Sequence, residues 1–168
     1  LKYCSRKFYE IKLNTNATLL NEDLIHQIFQ AEITETVFSV DSYTKSEYES
    51  IRIKGKFDKV LFNIKKLHEI REKYYPNSKM ATRISGVKIN SKQDKEGFKK
   101  FWENICDHVV IKSCFERWDT YNNPIIQGIL PPCSELWTGF YVWYDGKCNP
   151  CDTDYKSKLS VGSVISSK

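Results

Sequence analysis

Three cysteines near the carboxyl end carry the most specific chemical signal in the chain. Cys133, Cys148 and Cys151 crowd into nineteen residues, and the last two form the spacing Cys148-Asn-Pro-Cys151. Thiolates at C-x-x-C spacing suit a soft metal centre or a redox pair, because one tight turn brings both sulfurs to the same side. Asp145-Gly146 is a hairpin turn signal, so Cys133 lies before the hairpin and Cys151 just after its turn. Two or three cysteines do not complete a four-thiolate site. A non-cysteine ligand, or ligands outside residues 1–168, would have to join them. Cys4, Cys106 and Cys114 are scattered and read as small hydrophobes.

A second set of polar residues falls where short apolar runs end. Asn14, Thr15 and Asn16 follow the first run, Ser39 and Asp41 the second. Arg83 and Ser85 lie in the third, and Lys112 and Ser113 close the fourth, leading toward Glu116 and Arg117. In parallel α/β sheets ligands bind where the carboxyl ends of strands converge. Amides and hydroxyls there suit a ligand with ribose hydroxyls, an amine and a carboxylate. Asp41 can accept from a hydroxyl pair or an ammonium, and Arg83 can hold a carboxylate bidentately. The competing reading is that these residues cap helices and finish loops. His26, His68 and His108 show neither ligand spacing nor a Ser–His–acid order, and no role is assigned to them.

The elements that must position these groups alternate. Tyr9–Leu13 reads as a strand, and Asn21 as a helix cap with Glu22 and Asp23 in the first turn. Leu20 and Ile25 have staple spacing, and Leu24, Ile25, Ile28 and Phe29 form the expected buried stripe. Thr36–Val40 is strand-like. Phe57, Val60, Leu61, Ile64, Leu67 and Arg71 keep helical spacing until Pro76. Met80–Ile89 is a strand interrupted by Gly86, and Ser91 can cap a helix that buries Phe98, Phe101, Trp102 and Ile105. Val109–Ile111 closes the series. Strand–helix alternation implies an α/β fold with a parallel sheet, open or part of a barrel. Residues 114–132 lose periodicity and read as a linker, and Phe140–Tyr144 is again strand-like. The expected division is 1–113 as a partial α/β barrel segment, 114–132 as linker and 133–168 as a cysteine-rich β-hairpin appendage.

Composition narrows the classes. The chain has 168 residues, 40% of them hydrophobic and 14% aromatic, enough for a folded core. No apolar run reaches the roughly 18 residues of a membrane helix, so no membrane partner is expected. The amino end does not look like a signal peptide, and the sole methionine is Met80. The chain is therefore expected to be part of a longer, intracellular one. Net charge is +5, and residues 52–79 hold nine Lys or Arg against three acids. These charges decorate one side of an amphipathic helix and read as a solvated surface, so nucleic acid is not the expected partner. A non-catalytic binding module with zinc held by Cys133, Cys148 and Cys151 is the alternative from a different class.

The motifs resemble those of radical S-adenosylmethionine enzymes. Tyr9-Glu-Ile-Lys-Leu-Asn-Thr-Asn-Ala-Thr-Leu-Leu20 is similar to the third strand and loop of that family, where the pattern is often T-N-G-T-L-L. Phe38-Ser-Val-Asp-Ser42, Tyr48-Glu-Ser-Ile-Arg52, Phe57-Asp-Lys-Val60 and Asn63-Ile64 resemble the fourth strand and its helix. Cys133, Gly146 and Cys151, followed by Asp154 and Leu159–Val164, resemble the opening of a SPASM extension. The departures are specific: there is no C-x-x-x-C-x-x-C loop, Ala17 and Ser163 replace a Gly and an Asn, and Asp152 stands where a second Cys is common. The resemblance implies a partial barrel, S-adenosylmethionine and [4Fe-4S] clusters as cofactors, and a 5′-deoxyadenosyl radical that abstracts hydrogen from a peptide, sugar or small metabolite. By position it implies Asn14, Ser39, Asp41 and Arg83 at the cofactor, and Cys133, Cys148 and Cys151 as auxiliary-cluster ligands. It also implies an electron donor such as a flavodoxin or ferredoxin. Lacking the loop that holds the cleaving cluster, residues 1–168 are expected to be inactive alone.

Overall fold

A computed structural model describes residues 1–5, 7–114, 121–122 and 132–165. The chain divides into two compact units, Leu1–Cys114 and Phe115–Lys168. The expected linker falls mostly on residues outside those described.

The first unit opens with a single turn, α1 (Lys2–Ser5), and then alternates β1 (Lys12–Thr15), α2 (Glu22–Gln30), β2 (Glu35–Ser39), α3 (Lys45–Ile51), α4 (Phe57–Tyr74), β3 (Ala81–Lys88), α5 (Lys95–Trp102) and β4 (His108–Ser113). The four strands form one parallel sheet in the order β1-β2-β3-β4. Each strand is joined to its neighbour by a crossover containing at least one helix, as parallel pairing demands. The α/β class and the parallel sheet expected from the sequence are present, and the architecture is consistent with part of an α/β barrel.

Local chemistry explains the helix starts. Asn21 caps α2, its side chain accepting from the Leu24 N–H at 2.8 Å. Asp94, not Ser91, caps α5: its Oδ1 accepts from the N–H groups of Glu96 and Gly97. A carboxylate both satisfies free amides and meets the positive end of the helix dipole, so it outcompetes the hydroxyl three residues upstream. Leu24 leaves the expected stripe and is exposed; Ile25, Ile28 and Phe29 are buried. Sequence patterning placed β1 three residues too early and missed the short α3, which carries a single buried side chain, Tyr48.

The core lies between the helices and one face of the sheet. Phe38, Ile84, Val60, Ile64, Leu67, Phe98 and Trp102 are essentially inaccessible, with Leu13, Val109 and Ile111 packed against them. Side chains alternate across a strand, so the register assigns the other face row by row. Lys12, Glu35 and Ala81 form the lowest row; Asn14, Val37, Arg83 and His108 the next; Ser39, Ser85 and Val110 the third; Val87 and Lys112 the last. Most of these positions are exposed or half-buried, with Glu35 and Val37 buried at the centre.

The second unit contains α6 (Glu135–Thr138) and a three-stranded antiparallel sheet of β5 (Tyr141–Val142), β6 (Lys147–Asn149) and β7 (Gly162–Ser163). Gly146 has φ +82° in the β5–β6 turn, a left-handed conformation that glycine adopts without strain. A Cβ there would also meet the Ile165 side chain at 2.6 Å.

Candidate functional site

The sheet's second face is unusual in composition. Parallel sheets ordinarily bury apolar residues on both faces. Here eight of the twelve positions are Lys, Asn, Glu, Ser, Arg or His. Asn14 and Arg83 stand in one row, either side of Val37, and Ser39 lies in the row above. Three of the four residues assigned from the sequence to a ligand thus share one face. Arg83 donates through Nη2 to Glu35 Oε2 at 2.9 Å, and Lys12 Nζ lies 4.0 Å from the same oxygen. The Arg83 Nε is shielded from solvent without a hydrogen-bond partner.

Asp41 sits differently. It lies beyond the end of β2, is almost fully buried, and both carboxylate oxygens are engaged. Oδ2 accepts from Arg52 Nε at 2.6 Å, and Oδ1 accepts from the Val87 N–H at 3.0 Å. Its carbonyl oxygen accepts from Gln93 Nε2, which also donates to the Val87 carbonyl, while Gln93 Oε1 takes the N–H groups of Ile89 and Asn90. Asp41 and Gln93 therefore tie together the loops after β2 and β3 at the carboxyl edge. Both carboxylate oxygens are engaged within the protein and the residue is only 5% exposed, which leaves little access for a ligand's hydroxyl pair. Instead it fixes Arg52, whose two terminal nitrogens have no partner among the described residues. Arg52 is half-exposed, and sequence patterning gave it no site role, because nothing in the spacing links a helix-end arginine to a strand-end aspartate.

The loop after β1 is built for a tight approach. Thr15 Oγ1 accepts from the Ala17 N–H, and Asn16 Oδ1 accepts from both the N–H and the hydroxyl of Thr18. Ala17 is fully buried with φ +61°, where a glycine would be unstrained. Its carbonyl accepts from the buried Asn63 Nδ2 at 2.8 Å, so α4 pins the loop.

At the opposite, amino-terminal edge a polar cluster joins α4 to β3 and β4. Asp107 accepts two bonds from Arg71 (2.8 and 3.1 Å) and two from Thr82, through its N–H and hydroxyl. Burial pushes its carboxyl up, but the bonds from Arg71 and Thr82 outweigh this and hold it well below the usual carboxylate range. His68 Nε2 lies 3.7 Å from Cys106 Sγ and 3.5 Å from Thr82 Oγ1. Burial, then the charge of Arg71, lowers the His68 pKa. Burial pushes the Cys106 thiol up to about 12. A neutral imidazole beside a thiol so reluctant to ionise is a structural contact, not a nucleophile.

The three carboxyl-end cysteines do not converge. Cys133 is exposed, Cys148 is buried with its Sγ toward the Gly146 carbonyl, and the half-buried Cys151 Sγ meets Thr153 Oγ1 at 2.9 Å. Among the described residues no three His, Cys, Asp or Glu side chains are gathered so as to hold a metal ion. The donor set therefore does not fit an iron–sulfur cluster or a structural zinc as it stands. The reason lies in the pleat: Cys148 is on β6 and points into the unit, whereas Cys151 lies two residues past the strand. No helix among the described residues is long and apolar enough to cross a membrane.

No family model matches the chain. It is 26% identical over 113 residues to an uncharacterized protein of Methanocaldococcus jannaschii, MJ0804, an alignment covering 66% of this chain and 36% of that protein. In fold it is similar to SuiB of Streptococcus suis, whose crystal structure was determined bound to S-adenosylmethionine. The TM-score is 0.51 at 12% identity, over 89% of this chain and 44% of SuiB. The chain thus spans less than half the length of either protein.

Proposed function

We propose that this chain forms the ligand-facing wall of a radical S-adenosylmethionine enzyme, with the polar face of the parallel sheet holding cofactor and substrate. The observation that carries the reading is that face. A sheet face covered by hydrophobic core would be apolar; one carrying Asn14, Ser39, Ser85 and Arg83 in adjacent rows offers hydrogen bonds to a polar ligand. The likeness of fold to an S-adenosylmethionine-bound protein supports the same conclusion.

Within this reading Ser39 and Asn14 supply hydroxyl and amide contacts to the cofactor. Arg52 presents its terminal nitrogens to the cofactor's carboxylate at the carboxyl edge, and Asp41 acts as the positioning residue that orients the guanidinium. Bound there, S-adenosylmethionine would supply the radical chemistry of the intact enzyme. The chain's own residues bind it, orient it and exclude water. Since the cysteines present do not form a cluster site, no step is assigned to them.

The test is calorimetric titration of the chain with S-adenosylmethionine. Binding that weakens about tenfold or more in Arg52→Gln, corresponding to 1.4 kcal/mol or more, supports the assignment. Absence of binding, or equal binding by both proteins, overturns it.

A further inference from the structure

We propose that Arg83 and His108 together anchor a carboxylate group of the substrate on the polar face of the sheet. The proposal rests on that face being a ligand wall, and it names the chemistry of the second ligand.

Arg83 on β3 and His108 on β4 are partners in register, so their side chains rise from the same row about 4.8 Å apart. Neither has its hydrogen-bonding capacity filled. Arg83 spends Nη2 on Glu35 and leaves Nε shielded without an acceptor. His108 is exposed and its ring has no hydrogen-bond partner among the described residues. A buried guanidinium N–H lacking an acceptor beside an unpaired imidazole is a donor pair awaiting oxygen.

Charge decides which oxygen ligand fits. Glu35 is buried beside Arg83 and neutralises part of its charge, with Lys12 beneath. A dianionic phosphate would meet the Glu35 carboxylate at close range. A monoanionic carboxylate matches two donors with two oxygens and brings only one charge. Arg83 and His108 lie one row below Ser39 and short of the strand ends beyond which Asp41 holds Arg52, so one carboxylate can bind here while the cofactor's is held above. The Nη1 of the same Arg83 guanidinium has no hydrogen-bond partner among the described residues, and with the side chain 32% exposed it offers a donor at the surface of the row.

The experiment follows the His108 Cε1–H resonance of the full chain by two-dimensional NMR while acetate is added, with sodium chloride at equal ionic strength as control. A saturating shift with acetate, absent with chloride and weakened about tenfold or more in Arg83→Gln, is the expected result. The same titration of Lys65→Gln, an exposed position on α4 at the other face of the sheet, should match the unmodified chain. His108→Gln alters an exposed side chain and leaves folding intact, so acetate binding read by calorimetry in that variant checks the proposal if Arg83→Gln misfolds; unchanged affinity there overturns it. No saturable shift, equal shifts with chloride, or tighter binding of inorganic phosphate than of acetate also overturns it. Displacement of acetate by S-adenosylmethionine would assign the row to the cofactor and overturn the substrate assignment. Failure of the two readings is separable: acetate binding without S-adenosylmethionine binding sinks the cofactor reading alone, and the converse sinks only this one.

Discussion

Asp41 shows how a buried carboxylate can serve a site without touching a ligand. Its two oxygens hold Arg52 and the end of β3, so its removal leaves a guanidinium and a backbone N–H without acceptors. Asp41→Ala should destabilise the chain by about 1–3 kcal/mol in urea unfolding, and a value near zero would show that water replaces the carboxylate. Asp107 behaves as a second clasp with a pH signature. Its folded pKa lies below the unfolded value near 3.9, so its stabilising contribution is complete above that value and is lost as pH falls through the folded pKa. The stability advantage of the unmodified chain over Asp107→Asn should therefore be constant from about pH 6 to 8 and shrink below about pH 4. An advantage that grows on acidification would contradict the sign.

At the scale of elements, α5 approaches β3 closely at Gly86. Gly86 faces α5, and a Cβ there would lie 2.8 Å from Phe98 Cζ and 2.7 Å from the Val40 carbonyl oxygen. Backbone oxygen cannot yield as a flexible side chain can. Gly86→Ala should cost about 1–3 kcal/mol by overpacking, read as a lowered urea midpoint with an unchanged slope. Full stability in that variant would mean that α5 moves freely on the sheet. The interruption of an otherwise apolar strand by a glycine is thus a packing device: α5 brings Phe98 close to the sheet where β3 carries no side chain. The same helix seals the loop after β2, because Trp102 Nε1 donates to the Ser42 carbonyl.

For the whole molecule, the two units carry different parts of the chemistry. The first unit offers a polar sheet face; the second holds cysteines that are not gathered into a ligand set. In the proposed enzyme, reductive cleavage of S-adenosylmethionine would need a cluster held by three thiolates, and the described residues supply no such trio. Anaerobic reconstitution of residues 1–168 with iron and sulfide, followed by reductant and S-adenosylmethionine, should release no 5′-deoxyadenosine above a protein-free control. Release above that level would require the second unit to rearrange on metal binding, and would restore Cys133, Cys148 and Cys151 as ligands.

The amino-acid sequence by itself determined the strand–helix alternation, the parallel sheet it demands, and the Asn21 cap, because hydrophobic period and capping chemistry are local and survive in any context. It singled out Asn14, Ser39 and Arg83 as strand-end residues; the register instead places them on one face, with Arg83 near the start of β3. Tertiary structure alone decided what those residues do. Whether Asp41 faces a ligand or Arg52 depends on where a helix end eleven residues later comes to lie. His108 joins Arg83 only through the β3–β4 register, which brings together residues twenty-five positions apart. The arrangement of Cys133, Cys148 and Cys151 is likewise tertiary: among the described residues they are not gathered with other ligands. Spacing along the chain limits how far apart two sulfurs can be, but the pleat and the turn decide whether they face each other.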